Sequence, residues 1–198
     1  MLLPIVLPEK PVILASASPR RAEILKKIGL DFSIRPSAID ETNIAALPPA
    51  EYAIDLARRK ARAVAAEVAT GLVIGADTIV VLENEILGKP ASEQDAGEML
   101  RRLSGKTHRV FTGFALCDRP SNREAAGIEM TEVTFRALEE AEIAAYVRSG
   151  EAMDKAGAYG IQDASAVFAE RINGCFYNVV GFPLTRFYVT LRSFYSIL

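Results

Sequence analysis

The 198-residue chain contains no tryptophan, one histidine and two cysteines. The single histidine, His108, leaves no material for a histidine-rich metal centre and weakens the case for a Ser-His-Asp hydrolase. Cys117 and Cys175 stand far apart and form no CxxC pair, which argues against a disulfide framework and a zinc site. No apolar run approaches the ~20 residues of a membrane span. The apolar start, residues 1–8, is short and carries prolines, with neither a basic leading region nor a small-residue cleavage site, so it does not read as a signal peptide. A cytoplasmic location without membrane attachment is the expectation. Excess basic charge is lacking too: 23 Lys and Arg against 25 Asp and Glu leave a formal charge of -2. Stable nucleic-acid binding is therefore not expected, and any anion site must come from local clustering.

What is present is the composition of an ordinary globular protein, 50% hydrophobic and 24% charged. The length fits one domain, or one core with a smaller lobe. Val12 to Ala15 reads as a short buried strand, and Pro19 opens a helix with Ser18 at its N-cap. Leu30 to Pro36 reads as a second strand, followed by a polar loop and a long helix from Pro49 to about Ala69. Leu72 to Leu82 is an apolar strand turning back at Glu83-Asn84-Glu85. A capped helix over 92–103, strands over 108–117 and 128–138, and a helix over 139–148 follow. Ala166–Ile172 and Cys175–Val180 are expected to pair as a hairpin around Asn173-Gly174, and Pro183 to open a final helix. The mixed order of strands and helices indicates an α/β fold.

Several segments could carry chemistry. In Ser16-Ala-Ser-Pro-Arg-Arg21 a strand ends in hydroxyls and a helix begins with two arginines. Arginines in a first turn oppose the helix dipole, and a bound anion would remove that conflict. An ordinary capped helix with solvated arginines is the alternative. Helical projection puts Lys60 near the middle of the apolar stripe formed by Ala53, Leu56, Ala57, Val64 and Val68, where it must snorkel outward or meet an anion. Arg58, Arg59 and Arg62 project toward solvent. Asp77 sits inside an apolar run, which is costly unless the carboxylate is paired or metal-bound. Asp40-Glu41 supplies further carboxylate, and two carboxylates with substrate phosphates are a common way to hold Mg²⁺. Lys89 follows the hairpin. In the glycine-bearing Asp154–Gln162 segment, Lys155 could meet phosphate and Gln162 could read a base edge. His108 reads as structural or surface-lying, and Cys175 as a small buried residue. The chemistry these residues suggest together is a metal-held polyphosphate.

At these same residues the chain resembles the Maf family of nucleoside triphosphate pyrophosphatases. The matching segments are Leu14–Arg21, Ile39–Glu41, Ala57–Ala61, Gly75–Ile79, Gly88–Pro90, Leu103–His108, Asp154–Gln162 and Asn178–Gly181, in family order. The resemblance implies an elongated mixed β-sheet flanked by helices, similar to the inosine triphosphate pyrophosphatases. It implies one domain over 1–198 with two lobes and a central cleft. It implies hydrolysis of a nucleoside triphosphate to the monophosphate and pyrophosphate with Mg²⁺ or Mn²⁺. Asp77 would be the proton acceptor, and Glu41 and Asp77 the metal carboxylates. Ser16, Ser18, Arg20, Arg21, Lys60, Thr78, Lys89, Lys155 and Gln162 would bind substrate.

Arg20, Thr78 and Gln162 match the subgroup acting on dTTP and UTP and differ from the 7-methyl-GTP subgroup. The chain departs from the family pattern at Asp163-Ala-Ser165, where a glycine-rich stretch is more usual, and at Cys175-Phe176 and Phe182. A homodimer is expected by the same resemblance. The competing readings are a nucleotide-binding regulator of cell division, given the family's link to septum formation, and a 7-methyl-GTP pyrophosphatase.

Overall fold

The computed structural model describes residue 7, residues 9–41 and residues 47–195. The strands are β1 (Val12–Leu14), β2 (Ser33–Ile34), β3 (Gly71–Leu82), β4 (Glu85–Leu87), β5 (Thr107–Arg119), β6 (Glu124–Phe135) and β7 (Ala169–Asn173). They form a seven-stranded sheet in the order β2-β1-β3-β5-β6-β7, with β4 paired to β3. The helices are α1 (Pro19–Lys26), α2 (Pro49–Ala65), α3 (Glu93–Leu103), α4 (Glu140–Arg148), α5 (Phe176–Val180) and α6 (Leu184–Tyr195). The sheet is mixed: β1 runs parallel to β2 and β3, while β4 and β7 pair antiparallel. This is the expected α/β architecture.

The chain divides into two compact units. The first holds residues 1–77, 112–129 and 181–198, the second residues 78–111 and 130–180. Strands β3, β5 and β6 contribute to both. In the first unit β1, wholly apolar and buried, pairs on both sides, so it needs no polar face. Its cluster joins Ile13, Ala15, Ala57, Ala61, Val64 and Val73. The second unit packs Val80, Leu82, Leu100, Val110, Phe135 and Tyr159 around α3 and α4.

The close approach of α2 to β3 depends on Gly75. A Cβ at that position would lie 2.3 Å from the Ala57 carbonyl oxygen and 2.7 Å from the Ala61 nitrogen. Both are helix backbone atoms, which cannot rotate away. Gly75→Ala is expected to destabilise the chain by about 1–3 kcal/mol, the usual cost of overpacking. A urea midpoint lowered relative to wild type checks it.

His108 is 1% exposed; its Nε2 lies 2.8 Å from the Tyr159 hydroxyl and its Nδ1 has no partner among the described residues. Burial lowers its pKa to about 4. An unfolded histidine titrates near 6.5. Between those values the unfolded chain binds the extra proton, so stability falls as pH drops through that window, by about 3 kcal/mol in all. Chemical denaturation at pH 7 and pH 4.5 checks this; His108→Gln should flatten the difference.

Four expectations need correction. The second strand is two residues, not seven. The helix from Pro49 stops at Ala65 rather than Ala69. The strands expected over 108–117 and 128–138 lie closer together in sequence, because β5 runs to Arg119 and β6 spans Glu124–Phe135. The hairpin around Asn173-Gly174 does not form: β7 pairs with β6, and 176–180 is helical. Thr131 on β6 explains this. Its hydroxyl hydrogen-bonds to the Cys175 N–H and carbonyl and to the Asn178 amide, capturing the chain after the glycine. Short apolar runs do not distinguish strand from helix. The turn at Glu83-Asn84 does form, with both residues at positive φ, joining β3 to β4 as a tight hairpin.

Candidate active site

In the first unit the site grows from the end of β1 and the middle of β3 and of α2. Ser16 lies just beyond β1, where the Ala15 N–H still donates to the Ile74 carbonyl on β3. The chain then turns into α1 with Pro19 at its first position. Ser18 occupies the N-cap, but its side chain makes no capping bond. Its backbone N–H donates instead to the Ser16 hydroxyl at 3.2 Å. The first turn has no acidic residue and holds Arg20 and Arg21. Arg21 turns back, donating to Ser16 Oγ and to the Gly181 carbonyl, each at 3.0 Å. Burial lowers the Arg21 pKa against the opposing pull of Asp77; Arg20 lowers it further and Glu41 raises it. The guanidinium thus lies in the field of both carboxylates.

Lys60 does not snorkel to solvent. It is 8% exposed, and its Nζ donates to Asp77 Oδ1 at 2.6 Å and meets Glu41 Oε1 at 2.9 Å. Asp77 is 7% exposed, and its Oδ2 has no hydrogen-bond partner among the described residues. One ammonium therefore bridges two carboxylates, and the glycine at 75 lets the helix come close enough for it to do so. Glu41 is half exposed and precedes residues 42–46, which are outside the described set.

Two residues that the sequence does not single out join this cluster. Arg59, expected in solvent, donates to the Asp40 carbonyl at 2.8 Å and ties the acidic loop to α2. Tyr52 has its pKa raised by burial and then by Asp77 and Glu41, so its phenol lies in the same field. A signal for it exists in the sequence: Tyr52, Leu56 and Lys60 recur every four residues on one helix stripe. Arg62 pairs with Glu124 through two hydrogen bonds and is structural.

The second unit holds Thr78, Lys89, Lys155 and Gln162. Thr78 is half-buried in β3. Lys89 and Gln162 are exposed. The Gly157 N–H donates to the Gly88 carbonyl at 3.0 Å, which ties the Lys155 segment to the Lys89 turn. Lys155 Nζ donates to the Glu151 carbonyl and lies 2.8 Å from Asp154 and 3.3 Å from Asp163. The atypical Asp163-Ala-Ser165 stretch is a polar knot. Asp163 accepts from the Ser165 N–H at 2.9 Å and from the Tyr146 hydroxyl, while the fully buried Ser165 hydroxyl accepts from the Gly160 N–H. A Cβ on Gly160 would lie 2.4 Å from Asp163 Oδ2 and 2.7 Å from Lys155 Cε, so a side chain there would displace both charged groups. His108 is structural, as above, and Cys175 is half-buried rather than buried.

The Maf-like protein family model matches residues 11–194, nearly the whole chain. The chain belongs to the Maf family. Among its Maf relatives, the dTTP/UTP pyrophosphatase of Pelotomaculum thermopropionicum is 48% identical over 190 residues, 96% of this chain and all of the relative. That of Salinibacter ruber is 50% identical over 187 residues, 94% of this chain and 92% of the relative. That of Thermococcus onnurineus is 53% identical over 173 residues, 87% and 92% respectively. No helix among the described residues of this Maf protein is long and apolar enough to cross a membrane.

Proposed function

We propose that this Maf protein hydrolyses dTTP and UTP, and modified pyrimidine nucleotides of the same shape, to the monophosphate and pyrophosphate with Mg²⁺ or Mn²⁺. The observation that carries the reading is the buried Lys60–Asp77 pair with Glu41 joined to it from the exposed side. It supplies a carboxylate oxygen for a proton, cationic groups for phosphate and hard oxygens for a metal, in a chain about half identical to enzymes of that name.

A divalent ion fits the donor set. Glu41 and Asp77 share one cation already, and the described residues contain no group of three or more His, Cys, Asp or Glu that would form an all-protein cage. Mg²⁺ typically takes one or two carboxylates and completes its shell with water and substrate phosphate. When bound, the ion neutralises phosphate oxygens and makes water more acidic.

In this proposal Asp77 accepts the proton of the attacking water at its unpartnered Oδ2, while Lys60 holds Oδ1 and fixes the carboxylate in place. Ser16 sets Arg21, whose guanidinium takes phosphate oxygens together with the N–H groups that open α1. Lys89 and Lys155 take charge on the leaving pyrophosphate. Arg20, Thr78 and Gln162 select the pyrimidine. Cytoplasmic location and a homodimer complete the proposal; fractionation and sedimentation velocity check them.

Pyrophosphate release with Mg²⁺ or Mn²⁺ across dTTP, UTP, CTP, GTP, ATP and 7-methyl-GTP tests the reading. Release from dTTP and UTP above the others supports it. Preference for 7-methyl-GTP would overturn the roles of Arg20, Thr78 and Gln162. Nucleotide binding with no release from any would favour the regulator.

A further inference from the structure

We propose that a depression of about 160 Å³ in the first unit binds a phosphate-type oxyanion, at a place lined by none of the residues of the Asp77 cluster. It forms where the last turn of α2, the end of β5 and the start of β6 meet, with Arg62, Arg119 and Arg123 in its wall. Its two carboxylates are already engaged. Asp118 accepts from Lys10, Ser121 and the Tyr195 hydroxyl. Glu124 takes two hydrogen bonds from Arg62 and one from the Cys117 thiol. Asp55, two turns back on α2, acts on Arg62.

Arg119 and Arg123 remain, and among the described residues neither has a carboxylate partner. Arg119 gives one N–H to the Asn122 amide oxygen, while its Nε–H is buried with no acceptor among the described residues. A buried donor left unmade is costly, and such groups are ordinarily satisfied by protein, water or ligand. Arg123 donates to the Phe194 carbonyl and stacks on the Phe194 ring at 4.7 Å, which fixes its plane. Arg58 adds positive field at Glu124 from one turn back. Burial pushes the Cys117 thiol up to about 12, so the thiol adds no negative charge. Two uncompensated planar forks suit phosphate oxygens, which guanidinium groups bind bidentately. The volume is below the ~300 Å³ at which drug-sized ligand pockets begin, so it takes a phosphate group and not a nucleoside.

The ligand chemistry is shared by inorganic phosphate, by pyrophosphate and by the phosphate of a monophosphate nucleotide. The test titrates each, with sodium chloride at equal ionic strength, into the isotopically labelled full chain and follows the Arg119 Nε–Hε resonance. Its absence in Arg119→Lys assigns it. The expected result is a saturable shift whose dissociation constant rises at least about tenfold in Arg123→Gln, as loss of a charge-assisted contact requires. Arg123→Lys, which keeps the charge, should weaken binding less and guards against a folding defect. The KM for dTTP should be unchanged in both Arg123 variants. A response to inorganic phosphate identifies the free ion as sufficient; a response to pyrophosphate or dTMP alone identifies a product. An unmoved resonance at millimolar concentrations, an equal response to chloride, or a shift indifferent to Arg123→Gln would overturn the proposal.

Discussion

Asp77→Asn is expected to lower kcat for dTTP at least ~10²-fold, the low end for losing a general base, with little change in KM. The amide is nearly isosteric with the carboxylate, so packing in the β3 strand stays as it is. It keeps an oxygen for the Lys60 ammonium but cannot take a proton from water at neutral pH. Circular dichroism and the thermal midpoint should stay close to wild type, which separates lost chemistry from lost fold. A rate within a few fold of wild type would remove Asp77 from proton transfer.

Lys60→Met is expected to be the most destabilising change in the site. Lys60 and Asp77 are both about nine-tenths buried at the side chain and lie 2.6 Å apart. Removing the cation leaves Asp77 buried without its nearest counter-charge. Breaking a buried pair in this way costs about 3 kcal/mol or more. Glu41 is half exposed, so water screens its share and the lower end of the range applies. The double variant Lys60→Met/Asp77→Asn should recover at least half of the lost stability, because the stranded charge is gone. It should remain inactive. Denaturant unfolding of the two single variants and the double variant measures the coupling directly. Additive losses would mean that the pair does not act as a unit.

Much of the cluster is legible in the sequence. Lys60 interrupts an apolar helix stripe and Asp77 an apolar strand, and each is costly alone. Burial in the same unit makes each the other's compensation. The role of Gly75 is less legible. Its φ is ordinary, and only the approach of the α2 backbone shows why no side chain fits. Helical projection places Arg59 and Arg62 on the solvent side, where Arg62 is exposed, but it does not name their partners. Their acceptors, the Asp40 carbonyl and Glu124, come from segments 19 and 62 residues away. The absent hairpin has a similar cause: Thr131, distant in sequence, decides the conformation after Gly174. Asp163 stands out in the sequence as a departure from the family pattern, and its hydrogen bonds to Ser165 and Tyr146 are tertiary facts that periodicity does not carry.

The most direct test of the central claim is the position of isotope after hydrolysis of dTTP in ¹⁸O-labelled water. The account predicts dTMP and pyrophosphate as products, with one labelled oxygen in the dTMP, because water activated at Asp77 attacks the α-phosphorus. Label in the pyrophosphate, or release of dTDP and inorganic phosphate, would contradict it.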